Sequence, residues 1–240
     1  MAGDFETTDY GGDDFPTYRD FVRLLSKQLA KHGLTVVFVD GNHDRHSFLR
    51  GLMAEQGVKN YDKFVRVRDN IWYAPRGFTW TWSGKQFMAL GGAYSVADDR
   101  NGQIARGVYE WDEAVSPADM RRAYSRLGGR GTIDVLVTHD CPMEVPLAEL
   151  HEGVRPWTRG DSPETDANRQ LVSQVFVGGG IPLCFHGHYH LAYECAVRGG
   201  SIRAEQRVVG LGADAEAGSM HLLDLSQHPV STYALDIVSA

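Results

Sequence analysis

Three short segments of the chain combine side chains that bind divalent metals or exchange protons. They are Asn42-His43-Asp44, His139, and His188-Tyr189-His190. An amide oxygen and imidazoles suit borderline ions such as Mn²⁺, Fe²⁺, Zn²⁺ and Ni²⁺. Asp4 adds a carboxylate near the start of the chain, and a carboxylate can bridge two cations in a hydrolytic site. These residue types therefore predict a site for one or two divalent cations.

Each of these segments follows a run of apolar residues that predicts a buried strand. In chain order the strands are 34–39 before Asn42, 133–137 before His139, and 181–185 before His188. Continuous apolar, β-branched runs are typical of parallel strands buried on both faces. Open α/β sheets place their sites at the carboxyl ends of such strands. We therefore expect the three loops to converge if the three strands are neighbours.

The rest of the pattern alternates helices with short strands. Helices are predicted over 13–33, 46–56, 117–127 and 163–177, the last two with Ser116 and Ser162 as N-caps. Short strands are predicted at 65–67, 71–73, 78–82 and 86–90, and the tail from 192 is strand-rich with a Gly199-Gly200 turn. The polar segments 94–115 and 141–161 are predicted to be loops. This order predicts a layered α/β sheet sandwich that forms one domain over residues 1–240.

Composition excludes several classes of protein. The chain has 240 residues, of which 42% are hydrophobic and 23% charged, as in an ordinary folded domain. No apolar run approaches the ~18 residues that a membrane span needs. The net charge of −7 argues against binding a long nucleic acid. Three widely spaced cysteines (Cys141, Cys184 and Cys195) predict no disulfide framework and indicate a reducing, cytoplasmic compartment.

The order of the motifs resembles one known family. Gly41-Asn42-His43-Asp44, Thr138-His139 and Gly187-His188-Tyr189-His190 are similar to blocks of the calcineurin-like metallophosphoesterases, and Gly3-Asp4 resembles that family's Gly-Asp block. Each block is short, but together they run in order over nearly the whole chain. The resemblance implies the metallophosphoesterase type of α/β sandwich, with two mixed sheets flanked by helices.

The resemblance also implies a role for each motif residue. A hydroxide bound by the metals would attack phosphorus, His43 would donate a proton to the leaving oxygen, and Asp44 would orient His43. The implied metal ligands are Asp4 as the bridge, Asn42, His139 and His188 for the second metal, and His190 for the first. Manganese is the metal we expect, with Fe, Zn, Ni or Mg as alternatives.

One part of the family pattern has no counterpart in the chain. The family begins with an Asp-x-His motif on a first strand, and only Met1 and Ala2 precede Gly3 here. Two explanations stay open: the sequence lacks its N-terminal segment, or it is a natural short form with one metal and impaired catalysis. We favour the first, because losing the first strand would open a central sheet edge.

The expected activity is hydrolysis of phosphate esters, as a phosphodiesterase or phosphatase acting on small molecules or nucleotides. His46, Arg100 and Arg106 are candidates for binding substrate, although His46 equally fits an ordinary residue at a helix start. The alternatives are a catalytically impaired binding protein on the same fold and a nuclease acting on DNA or RNA ends. The loops 94–115 and 141–161 are expected to select the leaving group. Oligomeric state and the choice between monoester and diester stay open.

Overall fold

The computed structural model describes residues 18–96, 100–128, 132–150, 162–198, 205–214 and 216–235. The helices are α1 (Tyr18–Lys31), α2 (His46–Glu55), α3 (Arg100–Ala105), α4 (Pro117–Leu127), α5 (Leu147–Leu150) and α6 (Pro163–Phe176). The strands are β1 (Val36–Phe38), β2 (Val65–Arg68), β3 (Ile71–Tyr73), β4 (Thr79–Trp82), β5 (Lys85–Leu90), β6 (Val135–Thr138), β7 (Leu183–His186), β8 (Tyr193–Val197), β9 (Gln206–Gly210), β10 (His221–Asp224) and β11 (Ser231–Ala234).

The larger sheet has six strands in the order β4-β5-β6-β7-β9-β8. Its four central strands are parallel, and β4 and β8 close its two edges as antiparallel strands. The apolar runs before His139 and His188 are β6 and β7, which are adjacent, with Val135 paired to Leu183. The loops that carry these two histidines therefore leave the sheet side by side.

A second, smaller sheet has the order β1-β3-β2. Strand β1 pairs in parallel with β3, and β3 pairs antiparallel with β2. The three loops were expected to converge if their strands were neighbours. The strand before Asn42, β1, is not a neighbour of β6 or β7. A continuous apolar run reports burial on both faces and does not specify the partner strand, so the sequence could not distinguish the two sheets.

The core residues define the layers. Alternate residues of β5 to β7 face opposite sides, since Met88, Leu136 and Cys184 pack towards α4 and α6, whereas Phe87, Val135 and Leu183 pack towards Val39 and Ala74 at the ends of β1 and β3. Helices α1 and α2 cover the outer face of the smaller sheet. The observed fold is therefore a mixed α/β arrangement of two mixed sheets flanked by helices.

The predicted helix starts follow from their capping residues. Ser116 and Asp119 form the reciprocal capping box of α4, and Ser162 accepts a hydrogen bond from the backbone N–H of Thr165 in α6. The segments 94–115 and 141–161 were predicted wrongly as loops throughout, because α3 lies within the first and α5 within the second. None of the described helices has the length and apolar character to cross a membrane.

Aromatic side chains differ in burial between the larger sheet and α1. The aromatic residues of β4 and its neighbours form packing contacts, with Phe64, Phe78, Trp80 and Phe87 in one ring cluster. In α1, Phe21 is 49% exposed, whereas Val22 and Leu29 are buried. The predicted start of α1 before residue 18, the Gly199-Gly200 turn and residues 151–161 lie outside the described residues.

Candidate functional site

The ends of the two sheets are joined at two glycines that follow β5. The backbone N–H of Gly92 donates to the carbonyl oxygen of Asp40, which follows β1, at 2.8 Å. A Cβ atom at Gly91 would lie 2.5 Å from that same oxygen, and one at Gly92 would lie 2.6 Å from the carbonyl oxygen of Glu113. Only residues without a Cβ allow this close approach. It brings the turn after β1 to the ends of β5 and β6.

Asn42, His139 and His188 meet at this junction, and we call them the histidine cluster. The Oδ1 atom of Asn42 lies 2.9 Å from Nε2 of His139. The rings of His139 and His188 are 4.9 Å apart between centroids, at an interplanar angle of 62°. Asn42 and His139 are buried, and His188 is half-buried. The cluster thus combines one amide oxygen and two imidazoles from the ends of two sheets.

These separations fit ligands that share one divalent ion. Two donor atoms bonded at about 2.0–2.2 Å to one ion stand about 2.8 to 3.1 Å apart at octahedral angles and about 3.3 to 3.6 Å apart at tetrahedral angles, and two ligating imidazole rings stand about 4.4 to 5.5 Å apart. Within the described ranges, no group of three or more His, Cys, Asp or Glu side chains could hold a metal ion. The third donor of the cluster is instead an amide oxygen, so it could hold a borderline ion and leave further coordination positions for water or substrate.

The loop after β7 presents His188 with a strained backbone. His188 has φ of 68° and His190 has φ of 55°, in the left-handed region that residues with a Cβ rarely occupy. Tyr189 lies between them and is buried, and its hydroxyl donates to Oδ1 of Asp140 at 2.8 Å. A strained backbone of this kind persists where contacts with the surrounding structure hold it in place. Here the buried Tyr189 anchors a loop in which His188 packs against His139 and His190 is exposed.

Asp140 ties the two histidine loops to helix α6. Its Oδ2 atom accepts from Nδ2 of Asn168 at 2.6 Å, and its Oδ1 atom accepts from the backbone N–H of Cys141 at 2.8 Å. Burial raises the pKa of Asp140, and these hydrogen bonds oppose that shift. A backbone hydrogen bond from Gly187 to the carbonyl oxygen of His139 joins the same loops. The positions of His139 and His188 are therefore fixed by a buried network.

His43 lies beside the histidine cluster and is half-buried. Its ring centroid is 5.9 Å from that of Tyr109. The Oδ2 atom of Asp44 accepts a hydrogen bond from the backbone N–H of Gly41 at 2.8 Å. Asp44 thereby closes the turn that carries both Asn42 and His43.

Several imidazoles surround His188. Burial lowers the pKa of His188 well below its usual range, and the neighbouring His139, His43, His186 and His190 lower it further. A neutral imidazole keeps a lone pair free for a metal ion. His190 is exposed, so it lies at the outer side of this group of imidazoles. Asp4 lies outside the described residues.

A second polar group, which we call the arginine cluster, lies behind the turn after β1. The Oδ2 atom of Asp40 accepts from Nε of Arg76 at 2.7 Å, and its Oδ1 atom accepts from the Tyr73 hydroxyl at 3.0 Å. Nη1 of Arg76 is 3.5 Å from Oδ2 of Asp119. All four side chains are buried. Burial acts to raise the pKa of Asp40, but Arg76 and His46 hold it well below its usual range.

His46 belongs to this cluster. It is 5% exposed, and its Nδ1 atom lies 3.4 Å from Oδ2 of Asp40. The structure places it behind the turn rather than beside His139. His46 therefore contacts Asp40 in the arginine cluster, and its contact with substrate stays a prediction.

The predicted substrate arginines lie in and beside α3. Nη2 of Arg100 donates to Oε1 of Glu113 at 2.8 Å, and its guanidinium carbon lies 4.4 Å from the ring centroid of Tyr94. Arg106 is exposed directly after α3. Arg100 is thus engaged with a buried carboxylate close to Asn42, whereas Arg106 faces solvent.

Some site residues carried no usable signal in the sequence. Asp140 and Tyr189 adjoin predicted histidine ligands, so their proximity could have been anticipated. Ser95 and Glu113 lie in a segment predicted as a loop, and Asp40 and Arg76 are 36 residues apart. A sequence shows such distant polar pairs only when the fold is known.

Comparison with known proteins adds no assignment. No family model matches the chain, and no curated protein matches it significantly. The function must therefore be argued from the residues of the site.

Proposed function

We propose that this protein is a metal-dependent phosphoesterase. In this proposal Asn42, His139 and His188 hold a divalent ion, and His43 donates a proton to the leaving group. The supporting observation is the convergence of one amide oxygen and two imidazoles, from the ends of two sheets, at the separations of ligands on one ion. The resemblance of the motifs to calcineurin-like metallophosphoesterases agrees with this chemistry. An α/β sandwich of the metallophosphoesterase type would also agree with it.

Each ligand has a structural reason to face the site. Asn42 is held by the turn that Asp44 closes, and His139 follows β6 directly. The strained loop around Tyr189 places His188 against His139. A bound ion such as Mn²⁺ would supply Lewis acidity to the phosphoryl oxygens and would increase the acidity of a water molecule.

His43 is the residue proposed to move a proton. It adjoins Asn42 in sequence and is accessible from solvent, so it can be recharged between turnovers. An imidazole can supply a proton to the departing oxygen, which lowers the barrier to its release. The ring of Tyr109 lies next to His43 and would border the leaving group.

The substrate class follows from charge. Neither Arg100 nor His46 presents a free cation to the site, since Glu113 engages Arg100 and Asp40 engages His46. The chain carries a net charge of −7, which disfavours a long polyanion. We therefore propose a small phosphate ester, including nucleotides, as substrate.

The test is Mn²⁺-dependent hydrolysis of bis-(p-nitrophenyl) phosphate and of p-nitrophenyl phosphate by the wild-type chain and by His43→Ala. We expect His43→Ala to lower kcat by about 10²- to 10⁴-fold, as loss of a general acid does. Its affinity for Mn²⁺, measured by calorimetric titration, should change by less than about two-fold, because His43 is not a ligand in this proposal.

His32→Ala, which removes an exposed histidine directly after α1, is the matched control and should keep wild-type activity. Loss of Mn²⁺ in His43→Ala would contradict the role of proton donor. A folded wild-type protein that binds Mn²⁺ and hydrolyses neither ester would contradict the phosphoesterase and favour a non-catalytic binding protein.

A further inference from the structure

Three buried side chains form a hydrogen-bonded chain that ends at the histidine cluster. Oε1 of Glu113 accepts from the backbone N–H of Ser95 at 2.6 Å, and Oε2 accepts from the Ser95 hydroxyl at 3.1 Å. The Ser95 hydroxyl oxygen in turn accepts from Nδ2 of Asn42 at 2.9 Å. Glu113 is 0%, Ser95 3% and Asn42 4% exposed, so water does not take over these contacts.

The number of protons on each group determines which group donates in each hydrogen bond of this chain. Burial raises the pKa of Glu113, whereas the hydrogen bonds from Ser95 and the charge of Arg100, 2.8 Å from Oε1, oppose that shift and favour the carboxylate. A carboxylate has no proton to donate. The Ser95 hydroxyl must therefore donate its only proton to Glu113. Towards Asn42 it can only accept, so the amide group that faces Ser95 must be the NH₂. The carbonyl end of the amide, Oδ1, is then forced to face His139.

We propose that Glu113 is a positioning residue that acts through Ser95 to hold the Asn42 amide with Oδ1, and not Nδ2, towards His139 and His188. An amide NH₂ has no lone pair for a metal ion, so a reversed Asn42 would remove one of three ligands. The consequence for metal binding rests on the proposed function, whereas the orientation of the amide does not.

Glu113→Gln should reverse the chain without changing its shape. The substitution leaves one amide oxygen at this position. Two donors, the Ser95 N–H and Arg100, both require that oxygen as acceptor. The new NH₂ group then faces the Ser95 hydroxyl, which becomes the acceptor and turns its own proton towards Asn42. That proton favours Oδ1 of Asn42 on the Ser95 side and leaves Nδ2 facing His139.

The orientation can be tested without metal. In the wild type, Nε2 of His139 faces Oδ1 of Asn42 at 2.9 Å and must carry the proton. Long-range ¹H–¹⁵N spectra of the metal-free protein at pH 8 report the tautomer of His139. We expect the Nε2–H tautomer in the wild type and the Nδ1–H tautomer in Glu113→Gln. An unprotonated Nε2 in the wild type, or an unchanged tautomer in Glu113→Gln, would overturn the proposal.

A double-mutant cycle tests the path through Ser95. We expect Glu113→Gln to weaken Mn²⁺ binding by about 10- to 100-fold, as changes behind a ligand do, and Ser95→Ala by about 10-fold. In the Ser95→Ala background the hydroxyl is gone, so adding Glu113→Gln should change the Kd by less than about two-fold. Multiplying effects in the double variant would show that Glu113 acts by another path and would overturn the proposal.

Asp119→Asn is the matched control, because it also neutralises a buried carboxylate that faces an arginine. Its carboxylate contacts Arg76, Ser116 and Arg122 rather than Ser95, and its Mn²⁺ affinity should stay within about two-fold of wild type. Equal loss of affinity in Asp119→Asn would assign the effect to general destabilisation and would overturn the proposal. If the wild type binds no Mn²⁺, the proposed function fails, and the tautomer of His139 alone decides the orientation of Asn42.

Discussion

The arginine cluster and the histidine cluster begin two residues apart, at Asp40 and Asn42, yet they are built in opposite ways. Asp40 meets a guanidinium and a phenol hydroxyl in a buried group whose opposite charges face each other. Asn42 meets imidazoles, and the neighbours of His188 that shift its pKa are themselves histidines. The arginine cluster thus contains both charges of its ion pair, whereas the histidine cluster places several groups with lone pairs close together.

This difference distinguishes the arginine cluster, which stabilises the fold, from the histidine cluster, which is the candidate functional site. Arg76 also donates to the backbone carbonyls of Asp112, Glu113 and Ala114, so it fixes the segment that carries Glu113. The histidine cluster instead depends on a left-handed backbone at His188 and at the nearby His190, and it packs the imidazole rings of His139 and His188 against one another. Groups held at a cost in stability are typical of functional sites.

The largest expected effect is on the arginine cluster. Arg76→Met leaves Asp40 buried without its guanidinium, and breaking a buried pair in this way costs about 3–5 kcal/mol. Urea denaturation should show this loss in the free energy of unfolding. Replacing both partners, as Asp40→Asn with Arg76→Met, should cost clearly less than the sum of the single changes. If the losses of unfolding free energy are additive, Asp40 and Arg76 are not coupled. The arginine cluster would then not differ from the histidine cluster in the way described.

How far the sequence predicts this arrangement differs between the clusters. The apolar runs before His139 and His188 predicted two strands that are in fact adjacent and parallel. Asn42 also meets His139, but it arrives from the smaller sheet, through a contact at Gly91 and Gly92 that no periodicity encodes. Local patterns report which residues are buried and where strands end, not which sheets meet.

The arginine cluster was not predicted at all. Asp40 stands in a turn-like segment, and Arg76 follows β3 and looks like an ordinary loop residue in the sequence. Their contact depends on the packing of β1 beside β3 and on the path of the chain at Gly92. A buried ion pair between distant residues is a property of the fold, so it becomes visible only when the fold is known.

A smaller effect is expected when the histidine cluster is changed, and it should fall on a different property. Asn42→Ala and His188→Ala should each weaken Mn²⁺ binding by at least about 10-fold, since each removes a proposed ligand. The free energy of unfolding without metal should change by less than about 1 kcal/mol for His188→Ala, because His188 is half-buried and its ring is crowded by other imidazoles, whereas alanine keeps the Cβ and leaves the backbone strain unchanged. Titration calorimetry and urea denaturation measure the two quantities on the same samples.

The pattern across variants decides the comparison. If His188→Ala destabilises the metal-free protein as strongly as Arg76→Met does, the histidine cluster is a structural element like its neighbour. If Asn42→Ala and His188→Ala keep wild-type Mn²⁺ stoichiometry and affinity, the ligand assignment is wrong.

A further prediction needs no substitution and concerns the cysteines around β6 and β7. Cys184 in β7 and Cys141 after β6 are 0% exposed, whereas Cys195 is half-buried. Burial raises the pKa of Cys184 to about 12, so almost none of it is thiolate at pH 8. Because only the thiolate reacts, 5,5′-dithiobis-(2-nitrobenzoate) should label Cys195 at least about 100-fold faster than the other two thiols in the folded protein. In urea all three should react at similar rates. Rapid labelling of Cys184 in the folded state, identified by mass spectrometry, would show that the sheet opens beneath His139 and His188, and the rigid support inferred for these ligands would then be wrong.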